Sequence, residues 1–347
     1  MQPEAVELVA FAAVALVLAL VVAQPAASRR SLLVRGVVGL VGTAAVVAVP
    51  TFDLALLVLL TLALLHSALD GKRTFAARVR LPVLGIGLLT LAAFLARVSG
   101  PDVLDRFAAV GLAAGLAALV GVLPYIHTFD PDEPASSSPV AWLAYIGPAA
   151  AAVIVADAQG LLPAEAGAAF GASLVGVGLL NMVWGSVAAW LTETTAAAWR
   201  YSFIADWGLA LCGFGITLAD GKRAALVVLF SIVLGRLPLY LASREAVRDK
   251  VVTERPINLL VAAALAGSAP FAGFSARVLL LRGATQLYWP LALVLAVGML
   301  LWLPASLRLG RSLGVPRGRH ALGVAAVLAL NVAVGLYPLP LLAAARL

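Results

Sequence analysis

Ionisable groups inside long apolar runs are the residues of this sequence whose types could do chemistry. A charge at membrane depth costs several kcal/mol unless it is paired or hydrated, so each such group points to an ion pathway, a relay or a structural ion pair. Asp206 lies beside Trp207, Arg236 and Arg277 lie within later apolar runs, and His66 ends an early one. Glu193 and Arg200 flank the start of the run that holds Asp206, while Asp157 and Glu165 fall in a short loop where solvation accounts for them. Arg200, Glu193 and His66 are close enough to run ends to snorkel to the membrane interface. Arg236 and Arg277 are deeper, and an interior partner or a hydrated cavity is expected for them. Asp206 has the charge to neutralise one of the two. A structural pair and a proton-relay pair look identical at this level.

Two stretches read as interrupted helices. Leu123-Pro124-Tyr125-Ile126-His127-Thr128, with the Pro/Asp/Ser-rich segment to Pro139, breaks one apolar run, and Gly267-Ser268-Ala269-Pro270-Phe271-Ala272-Gly273-Phe274 lies inside another. Proline removes an amide donor and glycine permits unusual backbone angles, so unwound turns are expected at both. Broken helices in corresponding positions of two halves point to the ion pathway of a transporter with inverted repeats. A simple pair of Gly/Pro kinks, common in membrane helices, is the bland alternative.

The elements that must position these groups follow from composition. The chain has 347 residues, 63% of them hydrophobic and only 12% charged, with a mean hydropathy of +1.05. A soluble domain is about 45–50% apolar and 25% charged, so this chain cannot cover a soluble surface. The runs are continuous and Ala/Leu-rich, which excludes an alternating membrane β-barrel. One cysteine, Cys212, removes disulfide frameworks and thiolate clusters, and three scattered histidines make a conventional His-rich metal site a poor reading. No metal or cofactor site is expected in the chain itself.

About twelve spans result, each able to cross a core of about 30 Å. They lie near 4–24, 32–50, 54–69, 81–97, 105–124, 139–156, 166–192, 200–219, 224–243, 257–281, 288–307 and 321–345. The first is read as a retained span, because no basic region precedes it. One set of loops carries Arg29 and Arg30, then Lys72 to Arg80, Arg244 to Arg255 and Arg308 to Arg319; the other carries only Arg97, Arg106, Lys222, Arg223 and Arg282. The first set is therefore expected on the cytoplasmic side, with both termini external. No loop has room for a soluble domain. The two breaks fall five spans apart, and repeats of that odd length are inverted relative to each other. The expected fold is thus an all-α polytopic membrane protein with two inverted five-helix repeats, each with a discontinuous helix: an extra helix in 1–31, repeats in 32–156 and 166–310, and a last helix in 320–347.

At these residues the sequence resembles the antiporter-like proton-translocating subunits of respiratory complex I, energy-converting hydrogenases, multisubunit sodium/proton antiporters and related bicarbonate-uptake complexes. Leu123-Pro124-Tyr125-Ile126-His127 through Pro139-Val140 is similar to the family's proline/histidine segment. Trp184-Gly185-Ser186 and Tyr201-Ser202-Phe203-Ile204-Ala205-Asp206-Trp207-Gly208 look like its G-S and A-Y-S-S-I-x-x-x-G motifs. Ala269-Pro270-Phe271-Ala272-Gly273-Phe274-Ser275-Ala276-Arg277 is similar to its P-P-x-x-G-F-x-x-K. The resemblance implies a fourteen-helix core of which this chain lacks the first two helices.

The departures from the family matter as much. Its members carry a glutamate and buried lysines along the membrane midplane. Here the glutamate position falls near Thr61, the lysine before the proline/histidine segment near Leu119, and the next around Gly147 or Pro148, while Lys72, Lys222 and Lys250 are all placed in loops. In the second half, Arg236 and Arg277 stand where the family has lysines. Arginine stays protonated, so it can set a field or hold an anion but is no conventional relay base.

The function implied is a shortened, divergent antiporter-like subunit of a complex-I-like redox-driven or multisubunit ion-translocating assembly. It either contributes to proton or sodium translocation or acts as a weakly or non-pumping module. A purely structural spacer and a stand-alone small-solute transporter are the alternatives. Asp206, Arg236, Arg277, His127 and His66 are the ion-pathway candidates, with Pro124, Pro270, Gly273 and Phe274 at the helix breaks. Expected partners are other antiporter-like membrane subunits and, in a redox assembly such as an NADH–quinone oxidoreductase or hydrogenase, a peripheral electron-transfer arm. Quinone, flavin or iron–sulfur clusters would belong to those partners. The Ala/Arg-rich, lysine-poor composition suggests a high-GC genome and a bacterial plasma membrane.

Overall fold

The computed structural model describes residues 3–22, 26–69, 72–98, 102–126, 161–248 and 254–344, and every regular element among them is helical. In the N-terminal half these are α1 (Pro3–Val22), α2 (Ala26–Ala48), α3 (Phe52–Leu69), α4 (Lys72–Arg97) and α5 (Asp102–Val120). The C-terminal half has α6 (Ala164–Leu191), α7 (Thr195–Gly215), α8 (Ala219–Phe230), a π-helical turn (Ser231–Arg236) and α9 (Leu237–Arg248). It continues through α10 (Pro256–Ala266), α11 (Ala272–Leu300), α12 (Trp302–Arg311), α13 (Arg319–Leu336) and the short α14 (Leu339–Ala344). Within α11, Tyr288 alone leaves helical geometry (φ −162°, ψ 101°) and divides it into two stretches. Seven helices among the described residues are long and apolar enough to cross a membrane, and three shorter apolar helices join them. The chain is an integral membrane protein. The expected span 139–156 and His127 lie outside the described residues, as do Gly147, Pro148 and Lys250.

Several helices run past their apolar cores. Lys72, Arg73, Arg78 and Arg80 are in the first turns of α4, Lys222 and Arg223 in the first two turns of α8, and Arg308 and Arg311 at the end of α12, so these basic groups are not in loops as read from the sequence. Lysine and arginine are good helix formers, and nothing stops a helix where its apolar run ends.

Neighbours in sequence pack together: α2 on α3, α3 on α4, α4 on α5, α6 on α7 and α7 on α8. The tightest pair is α6 with α7. A Cβ on Gly208 would fall 2.3 Å from Met182 N, and one on Gly178 2.7 Å from Gly208 O, so the two backbones meet at a stripe of small residues. The segment 219–243 forms the centre, with 94% of its apolar stretch buried, and it is apolar on all sides as a helix enclosed by protein must be. Helix α1 packs on α2, the π turn, α9 and α13, which ties the start of the chain to its C-terminal helices.

Candidate functional site

The site begins with a cap. Thr194 accepts a hydrogen bond from Ala197 N (3.3 Å) and starts α7. That helix is enclosed along most of its length, and Asp206 is only 7% exposed within it. Opposite it, the central helix widens into the π turn, closed by the bond from Leu237 N to Ile232 O. Pro238 follows at once. It has no amide for the Leu234 carbonyl and its ring would crowd that group in a regular α-helix, which is the physical reason for widening here.

Arg236 ends the π turn, and its Nε donates to Asp206 Oδ2 at 2.5 Å. Its Nη2 donates to Leu265 O at 3.3 Å, and the guanidinium lies 4.7 Å from the centre of the Trp302 ring. Trp302 Nε1 donates to the same Leu265 carbonyl at 2.7 Å. The sequence reading of Asp206 as a neutralising partner thus finds its arginine in Arg236.

The carbonyls being met are those at the end of α10, which starts at Pro256 and stops after 11 residues, about half the span of a hydrocarbon core. Gly267 (φ 62°) ends it, with Ser268 N bonded to Ala263 O and Gly267 N to Ala264 O, the pattern of a Schellman turn. Arg277, on the first turns of α11, donates through Nη1 to Ala266 O. Its guanidinium lies over Gly267, where a Cβ would fall 2.9 Å from Arg277 Cζ. A helix C-terminus carries about half a negative charge, so two arginines and an indole answer the exposed carbonyls of a helix that ends inside the protein. Gly273 closes the break against Gly267, where its Cβ would meet Gly267 Cα at 2.7 Å. Pro270 lies in the break, Ser275 Oγ donates to Gly335 O of α13 at 2.8 Å, and Phe274 points outward at 45% exposure.

Between these groups is a partly open cavity of about 40 Å³, lined by Asp206, Ser231, Arg236, Gly267, Arg277 and Asn331 among others. No charge in the sequence marks Ser231, Asn331 or Trp302 for this site. The first two are small polar groups in apolar runs, a signal weaker than a charge; Trp302 has no sequence signal apart from its type.

The other candidates lie elsewhere. His66 is in the last turn of α3 and buried, but it does not line this cavity. Arg200 is buried too, on α7, so both His66 and Arg200 are covered by protein rather than reaching outward as expected for snorkelling side chains; helix packing over the run ends encloses them. Glu193 is exposed, and its carbonyl accepts from Arg308 Nη2 at 2.7 Å. Thr61 bonds its own helix at Leu57 O, and Leu119 is fully buried. Pro124 follows the end of α5, where Gly121 has φ 84°. There Asn181 of α6 grips the chain, accepting from Leu123 N at 2.7 Å and donating to Leu123 O at 3.1 Å. No group of three or more metal-ligating side chains occurs among the described residues.

No protein-family model and no curated protein matches the sequence. Solved structures do match its fold. A chain of the Mrp complex from Dietzia sp. aligns with a TM-score of 0.78 at 16% identity, over 99% of this chain and 44% of that one. A chain of the membrane-bound sulfane sulfur reductase, an archaeal respiratory membrane complex, aligns with a TM-score of 0.76 at 18% identity, over 96% of this chain and 65% of that one. A chain of respiratory complex I from Thermus thermophilus aligns with a TM-score of 0.67 at 17% identity, over 100% and 85%. This chain therefore spans under two thirds of the length of the first two. The resemblance drawn from the motifs is matched by the fold.

Proposed function

We propose that this chain is an antiporter-like membrane subunit of a multisubunit ion-translocating complex, and that its polar centre is a fixed-charge device rather than a titrating relay. The observation that carries the reading is the interrupted helix α10–α11, whose open end meets the Asp206–Arg236 pair and Arg277. Similarity of fold to chains of three multi-subunit membrane complexes supports partner subunits of the same kind.

The two helix breaks also favour two inverted five-helix repeats in 32–156 and 166–310. Gly121 and Gly267 both have positive φ, Val122 N bonds Ala117 O as Ser268 N bonds Ala263 O, and Tyr125 N bonds Val122 O as Phe271 N bonds Ser268 O. One constant offset relates every pair, and it also lays α2 to α5 over α6 to α10. On that register Asp206 falls on Leu60 and Arg236 on Thr90, so the first half has no charge where the second has its ion pair.

In this reading the second half sets a local field through arginines that stay protonated. Ions that pass do so beside Asp206, Arg236 and Arg277, with His127 and His66 as outlying carriers and both termini on the external face of a bacterial plasma membrane. Any quinone, flavin or iron–sulfur cluster belongs to an electron-transfer arm outside this chain. A second reading, a structural spacer that moves no ions, is favoured by Leu60, Thr90 and the fully buried Leu119, which put no charge at the first half's counterparts of the ion pair or before its helix break.

The experiment is purification from the native membrane in mild detergent with every co-purifying chain identified. Recovery with other antiporter-like, hydrogenase-type or dehydrogenase-type subunits supports the proposal. Recovery as a homogeneous single species that transports a solute overturns it. Ion flux by the reconstituted assembly, with the Asp206→Asn, Arg236→Met double variant compared to the unmodified chain, separates a conducting subunit from the spacer.

A further inference from the structure

The cavity beside Asp206 and Arg236 holds unfinished hydrogen bonding. Ser231 Oγ and Arg236 Nη1 are both buried without a hydrogen-bond partner, and both residues line it. Arg236 itself is 4% exposed. Its guanidinium is donor-only, and a buried charged donor left unsatisfied is among the costlier defects a protein carries. Each such group in a folded protein needs an explanation, and a bound water or ion supplies one.

Charge narrows the choice. Arg236 and Arg277 bring two positive charges to the lining and Asp206 one negative. The end of α10 supplies only about half a unit more. A positive surplus of about half a unit therefore remains in a partly open site lined mostly by apolar side chains, where an uncompensated charge is expensive. Water would satisfy the donors but leave the surplus, whereas one anion reverses it at similar magnitude and accepts charge-assisted bonds, about twice as strong as neutral ones, from the unpartnered donors. A cation would add to the surplus. Room narrows the choice again: about 10–15 Å³ on this measure holds one water, so the cavity of about 40 Å³ takes about three or four water-sized groups, too few for a phosphate ester or a larger organic acid.

We propose that this cavity binds a small monovalent anion of halide size, held by Arg236 Nη1, the Ser231 hydroxyl and the positive field of Arg277. The π turn is part of the site, because Ser231 and Arg236 are its first and last residues. The inference rests on the cavity and its unpartnered donors, not on the assembly reading. Co-purification decides that reading whatever the halide result.

The test uses the full chain, with whatever subunits accompany it, in lipid nanodiscs. Thermal unfolding is followed as sodium chloride replaces sodium gluconate at constant ionic strength. A saturable rise in the unfolding midpoint with chloride, reproduced by bromide, is expected, and Ser231→Ala should weaken the half-saturating concentration by about three- to tenfold. Ser231→Ala removes one hydroxyl from a helical position and should fold, so a failure to respond is not a failure to fold. Arg277→Gln, which removes a lining charge, should weaken it further. In crystals soaked in sodium bromide, an anomalous peak against Arg236 and Ser231 is expected. Equal midpoints in chloride and gluconate, an unchanged chloride response in Ser231→Ala and Arg277→Gln, or bromide-soaked crystals with only water in the cavity would overturn the proposal.

Discussion

Arg236 donates to Asp206 across 2.5 Å, with the two side chains 4% and 9% exposed, and the same guanidinium reaches Leu265 O at the end of α10. One residue thus joins three helices, and the ion pair holds a broken helix in place at the same time as it lines a cavity.

Asp206→Asn leaves Arg236 as a buried cation without its counter-charge. A loss of about 3–5 kcal/mol is expected, because removing one partner exposes the full desolvation cost of the other. Replacing both, as Asp206→Asn with Arg236→Met, should restore most of it. Thermal or denaturant unfolding of the four variants in a double-mutant cycle measures the coupling, and additive losses would refute it.

Gly267→Ala forces a Cβ onto a residue with φ 62° and toward Arg277 Cζ at 2.9 Å. A destabilisation of more than about 1 kcal/mol is expected. Gly167→Ala, where nothing lies within 4 Å, should be neutral or mildly stabilising through helix propensity. Unfolding midpoints of the two variants side by side check the contrast.

Asn181→Ala removes both bonds to Leu123 and leaves that backbone unpaired near the first break, at an expected cost of about 1–3 kcal/mol. Hydrogen exchange reads this locally. The Leu123 amide, which donates to Asn181 Oδ1, should exchange faster in the variant while amides in the centre of α7 do not change.

Gly208→Val places its Cβ 2.3 Å from Met182 N, a backbone atom that cannot move aside. Loss of folded protein, seen as aggregation on size exclusion, is expected. Gly176→Ala on α6, the helix that holds Met182, with nothing within 4 Å, should elute as the unmodified chain does.

Much of this architecture was legible in the residues. Runs of about 20 apolar residues mark spans because the bilayer sets their length, and Gly267, Pro270 and Gly273 mark an interruption because glycine and proline act on the backbone directly. Asp206, Arg236 and Arg277 stood out because a charge in such a run demands an explanation. The helix ends were harder to read: Lys72 and Lys222 belong to helices, since hydropathy reports where lipid ends and not where the backbone stops winding.

Which arginine meets Asp206 was not legible. Arg236 and Arg277 have the same charge and comparable surroundings in the sequence, and only the packing of the π turn against α7 chose between them. Ser231, Asn331 and Trp302 joined the site by proximity alone, and a serine or asparagine in an apolar run has too little cost to attract notice. Local physics along the chain determined where helices form, where they break and which charges need partners. Tertiary structure decided who the partners are, because a helix C-terminus, a guanidinium and a carboxylate act only over a few ångströms, and those distances are set by how the helices pack.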